Sequence, residues 1–317
     1  MQGACGVRTH AYSRLLQRAI TDFAADVPFA QATAKVKEHY GVELPLGACR
    51  TVALQHAGAC RVQALPPVPA HKAPTLISET DGSMIPTVVT DPTAKDRRRA
   101  RCLAWQEAKL SLMQRADQAD SLVTATLGDA ATCGAQMYAL AETAGLGKAT
   151  HIHAVGDGAL WIADQVEQQF GRQASYLVDF WHVCEHLAPV AATLGAPGGA
   201  WLEAQKSSLR QGDPHAVLQA LRPCLEPPGP ADPTPARDCY RYLENRLHQL
   251  DYRGALDAGL PIGSGRIESA HRSVIQARLK RPGAWWVPDN AQAMLDLRTL
   301  RHNQQWDTYW TSLKLAA

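Results

Sequence analysis

The sequence predicts an α/β protein: a mixed sheet preceded by a helical segment and interrupted late in the chain by an all-helical insertion. Strand-like and helix-like runs alternate between Leu76 and Trp181, which is the pattern of a sheet covered by helices. The apolar strands His151-Ile-His-Ala-Val-Gly156 and Ala174-Ser-Tyr-Leu-Val-Asp-Phe-Trp181 flank an amphipathic helix, Ala159 to Phe170. From Val183 to about Arg253 the pattern is helical and poor in strands, too long for a connection and so read as an insertion.

In chain order, Tyr12 to Ala25, Phe29 to Tyr40 and Leu46 to Ala59 read as three short helices. Phe29, Ala32, Val36 and Tyr40 recur at helical spacing, and Gly41 supplies the left-handed end. The short link into the third helix predicts a helix-turn-helix, and Arg50, Thr51, Gln55 and His56 would form its reading face; a plain helical bundle fits as well. The Pro-rich run after Arg61 cannot hold a helix. Two β-rich runs separated by Asp81-Gly82 predict a hairpin or tight turn, and a third strand is expected near Trp105 to Gln114. Residues 129 to 145 read as a helix. After the insertion, itself broken at Gly195 to Gly199 and Pro223 to Pro235, helices are expected from Gly265 to about Arg278 and from Asn290 to about Trp306. The implied organisation is a helical segment 1–62, a linker 63–74, a core in two parts, 75–182 and 259–317, and the insertion 183–258 between them.

Of the 317 residues 46% are hydrophobic, 20% charged and 6% aromatic, which excludes disorder as the main state. No apolar run of membrane-spanning length and no signal-peptide pattern occurs, so a cytoplasmic protein is expected. Eight cysteines are scattered without a Cys-x-x-Cys, giving neither a disulfide framework nor a structural zinc site. The formal charge of +2 means that any nucleic-acid reading must rest on where the basic residues sit.

Asp81 and Asp157 share a context: each closes a β-rich segment and is followed at once by glycine, a position that ligand and solvent can reach. Glu268 lies in the first turn of the helix after Gly263-Ser-Gly265. Singly, each reads as a turn or a dipole-complementing acid. Together, three carboxylates can bind two divalent cations, Mg²⁺ or Mn²⁺, of the kind that cleave phosphodiesters when about 3.5–4 Å apart. Three carboxylates also occur in glycoside hydrolysis, but sugar sites need aromatic platforms that this composition barely supplies.

The motifs Thr-Asp81-Gly-Ser-Met, Gly-Asp157-Gly-Ala-Leu-Trp-Ile and Gly-Ser-Gly-Arg-Ile-Glu268, with Tyr-Leu-Val-Asp179-Phe-Trp-His182 between the last two, resemble those of bacterial insertion-sequence transposases of the DDE type, in the Mutator-related branch. The resemblance covers roughly residues 75 to 310. It implies a ribonuclease H-like core and a Mg²⁺-dependent enzyme that cuts and joins double-stranded DNA at element ends and target, working as a homo-oligomer on DNA at the bacterial nucleoid. Asp81, Asp157 and Glu268 would be the catalytic metal ligands. Asp179 and His182 match the Asp-x-x-His pair that follows the second aspartate in such enzymes, and would orient a metal ligand or touch DNA near the scissile bond. His182-Val-Cys184-Glu-His186 is not expected to be a metal cluster, since ligands entering a helix at alternate positions diverge.

Two basic clusters point to DNA. Lys95 to Arg101, with Arg97, Arg98 and Arg99, carries five positive charges against one negative; Arg266, Arg272, Arg278, Lys280 and Arg281 stand against Glu268 alone. Glu268, Arg272 and Gln276 recur at four-residue spacing on one helix face. Trp285 and Trp286 would stack on an unpaired base or plug the core. Two rivals keep the fold: a structure-selective nuclease that never joins ends, and an inactive DNA-binding repressor or remnant.

Overall fold

The computed structural model describes residues 12–63, 65–91, 93, 96, 100–227, 229 and 233–313. Five strands form one mixed sheet in the order β3-β2-β1-β4-β5. Strands β1 (Thr75–Thr90), β2 (Arg101–Arg115) and β3 (Ser121–Thr126) are antiparallel neighbours, while β4 (His151–Gly156) and β5 (Ala174–Val178) run parallel to β1. The parallel strands are joined through helices α4 (Ala130–Ala144), between β3 and β4, and α5 (Leu160–Phe170), between β4 and β5. Both helices lie on one face of the sheet, over Leu76, Met113, Ile152 and Ala154.

Asp81-Gly82 is not a turn. β1 runs unbroken through it and pairs with β2 from Leu76↔Arg115 to Thr90↔Arg101. A continuous ladder with β-branched residues on both sides outweighs the local turn preference of one dipeptide. Asp81 therefore sits mid-strand, and what it ends is the stretch of β1 that pairs with β4, whose last pair is Glu79↔Val155. β3 is an addition to the predicted strands; its polar-apolar alternation is short, but its amide at Val123 is held by Asn303 Oδ1 at 2.8 Å, a partner far along the chain.

The opposite face is covered by the C-terminal helices. Gly265–Ala270 (α11) continues through a π-helical stretch, His271–Gln276, into Ala277–Leu279 (α12), and is followed by α13 (Pro288–His302) and α14 (Trp306–Ser312). Ile267, Val274, Ile275, Leu279, Met294 and Leu297 pack there on Ile85, Leu110 and Leu112. Trp286 belongs to this core, with Nε1 donating to Leu279 O at 3.2 Å.

The three N-terminal helices form where the periodicity puts them: α1 (Arg14–Asp26), α2 (Phe29–Tyr40) and α3 (Leu46–Ala59), with Gly41 left-handed at φ 67°. They have a small core of their own around Ile20, Val36 and Val52. Ala25, Ala57 and Cys60 nonetheless belong to the main core. Arg298 on α13 fastens α1: Nε donates to Val274 O at 2.8 Å and Ser273 O at 3.1 Å, Nη1 donates to Ala25 O and pairs with Asp26 at 3.2 Å. The Pro-rich stretch ends against the body, where Ala73 N donates to Gly145 O at 2.8 Å.

Residues after β5 make the helical insertion: α6 (Phe180–Thr193), α7 (Gly198–Arg210), α8 (Pro214–Leu221), α9 (Pro235–Glu244) and α10 (Tyr252–Asp257). Val183, Leu187, Leu209, Leu221 and Leu243 close a separate core that reaches the sheet through Val155, Leu177 and Val178. Among the described residues no helix is long and apolar enough to cross a membrane.

Candidate active site

A parallel strand presents its next residue at its carboxyl end, outside the sheet, and β4 and β5 each present an acid there, beside Asp81 within β1. Asp157 follows β4 directly, and two residues beyond the last β1–β4 pair it stands at the level of Asp81. Asp179 follows β5, with its amide donating to Gly156 O at 2.7 Å. This is the crevice at the carboxyl ends of parallel strands where α/β proteins bind ligands.

Each of the first two carboxylates is half anchored and half free. Asp81 Oδ1 accepts from Gly82 N at 2.7 Å, and Asp157 Oδ1 from Ala159 N at 2.8 Å. Among the described residues, neither Oδ2 accepts a hydrogen bond; His271 Nε2 lies 3.3 Å from Asp81 Oδ2. Burial raises the Asp81 carboxyl above the usual carboxylate range, and the charges of Asp157 and Glu107 raise it further, against the Gly82 amide and His182, which lower it. His182 is near enough to act on Asp81 through its charge, and its Nδ1 is 3.4 Å from Glu185.

Asp179 turns inward instead. It is 5% exposed, caps α6 and holds Ser264, the residue before α11. Oδ1 accepts from Trp181 N at 2.6 Å and His182 N at 3.3 Å, while Oδ2 accepts from Ser264 N at 2.7 Å and from Ser264 Oγ. Since Phe180 N also donates to Ile262 O at 2.9 Å, the loop before Glu268 is stitched to the end of β5. With both its oxygens so engaged, Asp179 serves as an anchor.

Glu79 has the same task from the other side, and sequence patterning gave no sign of it. At 1% exposure its Oε2 accepts from Ile267 N at 2.8 Å, in the first turn of α11. Two anchored carboxylates thus lock the amino end of the helix bearing Glu268, on which His271 reaches Asp81. Glu268 itself is exposed on that helix. Asp81 and Asp157 come together, but among the described residues no three His, Cys, Asp or Glu side chains, Glu268 included, converge on one metal-holding point. The donor chemistry fits Mg²⁺ or Mn²⁺, hard ions that take carboxylate oxygens.

Burial pushes the Glu79 carboxyl up to about 7 from 4.5, and Asp179 adds to this, against the Ile267 amide and Arg266. The unfolded chain then loses this proton first, so the stability that Glu79 contributes is full below pH 4.5 and declines as pH rises toward about 7. Glu79→Gln keeps the acceptor for Ile267 N and removes that decline. The difference in urea midpoint between wild type and variant across this range measures it.

Gly158 turns the chain after Asp157 at φ +86°, and a Cβ there would stand 2.3 Å from Tyr242 Oη. Backbone strain and overlap together make Gly158→Ala costly, about 1–3 kcal/mol in chemical unfolding.

The basic residues divide. Arg266, Arg272 and Lys280 are exposed and Arg281 is half-buried, with Lys280 Nζ donating to Ser83 Oγ at 3.1 Å, two residues past Asp81. Arg278 is the correction: it is 3% exposed, Nε donates to Ala24 O at 2.9 Å, and its guanidinium lies 5.0 Å from the Phe29 ring centre and 4.8 Å from that of Trp286. It falls in phase with the buried stripe Ile267, Ala270, Val274, Ile275 and Leu279, so it joins the N-terminal helices to the core and is closed to a phosphate. Trp285 is 41% exposed against Trp105 on β2. Arg97, Arg98 and Arg99 lie outside the described residues. On α3, Arg50, Thr51 and Gln55 are exposed, whereas His56 is buried against Tyr309 and Gln17 and reads nothing.

The fold and site define a mixed α/β protein whose acidic residues gather where its parallel strands end. No protein-family model matches the chain, and no curated protein matches it either.

Proposed function

We propose that the protein is a DDE-type transposase with a ribonuclease H-like core, cutting and joining double-stranded DNA. The observation carrying this reading is the meeting of Asp81, within β1, and Asp157, just past the end of the adjacent parallel strand β4, each with one oxygen that accepts no hydrogen bond among the described residues. The strand order, three antiparallel strands followed by two parallel ones on the far side of β1, agrees with such a core. Asp81 and Asp157, with Glu268 from the helix beside them, would hold two Mg²⁺ or Mn²⁺ ions. Bound there, such ions make water or a 3′-hydroxyl a better nucleophile and stabilise the leaving oxygen at the phosphodiester.

The remaining residues orient. Glu79 and Asp179 fix the amino end of the helix of Glu268, and His182 would orient a metal ligand or touch DNA near the scissile bond. Lys280, Arg266 and Arg272 offer exposed positive charge along one side of the crevice, where a phosphate backbone would run. Double-stranded DNA is the partner this implies, bound by a homo-oligomer.

A strand-transfer assay tests the reading. The purified chain is mixed with Mg²⁺, a target plasmid and pre-cut DNA ends taken from the sequence flanking its gene. Joined products are the expected result. Cleavage of branched DNA without joining would make the protein a nuclease, and binding without either would make it a repressor.

A further inference from the structure

We propose that Tyr242 and Arg246, which belong to the helical insertion, are positioning residues for Asp157, so that the insertion completes the active site. This rests on the reading of Asp157 as a metal-holding carboxylate.

β4 ends at Gly156, and Asp157 stands on the turn just beyond it, where side chains hold the peptide groups. Asp157 O accepts from Tyr242 Oη at 2.8 Å, and Gly158 O accepts from Arg246 Nη2 at 2.9 Å and Nε at 3.1 Å. Gly158 N donates to Tyr176 Oη at 3.2 Å. Both carbonyls on either side of the Gly158 pivot are thus taken by side chains more than eighty residues away. A glycine at positive φ with unheld carbonyls would let the Asp157 side chain swing; these three bonds fix the plane of each peptide and so the direction of Oδ2.

The clamp is rigid on its own account. Arg246 lies 4.0 Å over the Tyr242 ring and Nη1 donates to Tyr242 O at 3.1 Å, while the His186 ring stacks on Tyr242 at 3.9 Å. His186 is on α6, the helix capped by Asp179, and Leu243, next to Tyr242, is fully packed in the insertion core. Asp157 and Asp179 are thereby referred to one framework, and the close approach of Tyr242 explains why position 158 must lack a Cβ.

Three variants of the full chain separate positioning from DNA contact: Tyr242→Phe removes one donor, Arg246→Lys keeps the charge but loses the forked donation, and Arg241→Gln changes an exposed neighbour. Three quantities are measured: Mn²⁺ affinity by electron paramagnetic resonance of the free ion, DNA affinity, and the single-turnover rate of end cleavage at saturating DNA. The expected result for Tyr242→Phe and Arg246→Lys is Mn²⁺ affinity and cleavage rate each down about tenfold or more, with DNA affinity within about twofold of wild type. Arg241→Gln should match wild type in all three. If the first two instead weaken DNA binding while Mn²⁺ affinity and the saturated rate stay at wild type, they contact DNA and the proposal is overturned; wild-type values throughout overturn it equally. Asp157→Asn run alongside tells the two readings apart: undiminished Mn²⁺ binding and cleavage in that variant sinks the assignment of Asp157, and this inference with it.

Discussion

Asp157→Asn lowers the single-turnover rate of DNA end cleavage at least about a hundredfold while leaving DNA binding intact. The substitution is nearly isosteric. An asparagine Oδ1 still accepts from Ala159 N, as the aspartate does at 2.8 Å, so the turn into α5 survives. What disappears is the negative charge and the anionic oxygen that no described residue engages. On the proposed reading, protein–DNA affinity should stay level or rise slightly, because a negative charge leaves a surface that would face phosphates. Asp81→Asn should behave alike, since Gly82 N needs only an acceptor. Retention of near wild-type cleavage by either variant would remove the basis for the metal assignment.

Arg298→Met costs about 3 kcal/mol or more of folding stability, read as a drop in urea midpoint. The guanidinium is 9% exposed and serves Ser273 O, Val274 O and Ala25 O together with Asp26. Methionine fills much of the volume, so the loss comes from stranded carbonyls on two helices rather than from a cavity. Because the same residue holds α1 to α13, the unfolding curve of the wild type should show one transition. A second, earlier transition in the variant would mark α1 to α3 coming away on their own. A loss below about 1 kcal/mol would mean that water takes over the carbonyls and that the anchor is dispensable.

Local signals carried most of the architecture. Phe29, Ala32, Val36 and Tyr40 gave α2 its limits because a helix depends on spacings of three and four residues, and Gly41 ended it for a reason contained in one residue. His151 to Gly156 was legible because a strand buried on both faces is an apolar run. Asp81-Gly82 misled because the dipeptide's turn preference is local while the ladder with β2 is not; no window around Asp81 contains Leu110, its cross-strand partner. Arg278 misled for the opposite reason. Its place on the apolar stripe was readable, but charge was weighed ahead of phase. Asp157 was found from a strand end, whereas Asp81 was singled out as one although it lies inside β1. Glu79, Tyr242 and Arg246 were not, since an acid in a strand and a Tyr and Arg in an insertion become informative only when the backbone atoms they hold are brought to them from far along the chain.

The fastening of the first helix by the last ones bears on how the chain is made. Arg18 meets Asp307 at 2.5 Å, His56 meets the Tyr309 hydroxyl at 2.8 Å, and Ala24 and Ala25 are held by Arg278 and Arg298. On a ribosome, α1 to α3 emerge well before the C-terminal helices and can build their small cluster of Ile20, Val36 and Val52, but their outer surface waits for residues such as Tyr309 and Arg278, made 253 and 254 positions later. Contacts of such long sequence separation form late and slowly. The N-terminal helices therefore spend most of synthesis with Ala25, Ala57 and Cys60 uncovered. A ribosome stalled before α13 has emerged should present that apolar patch to chaperones.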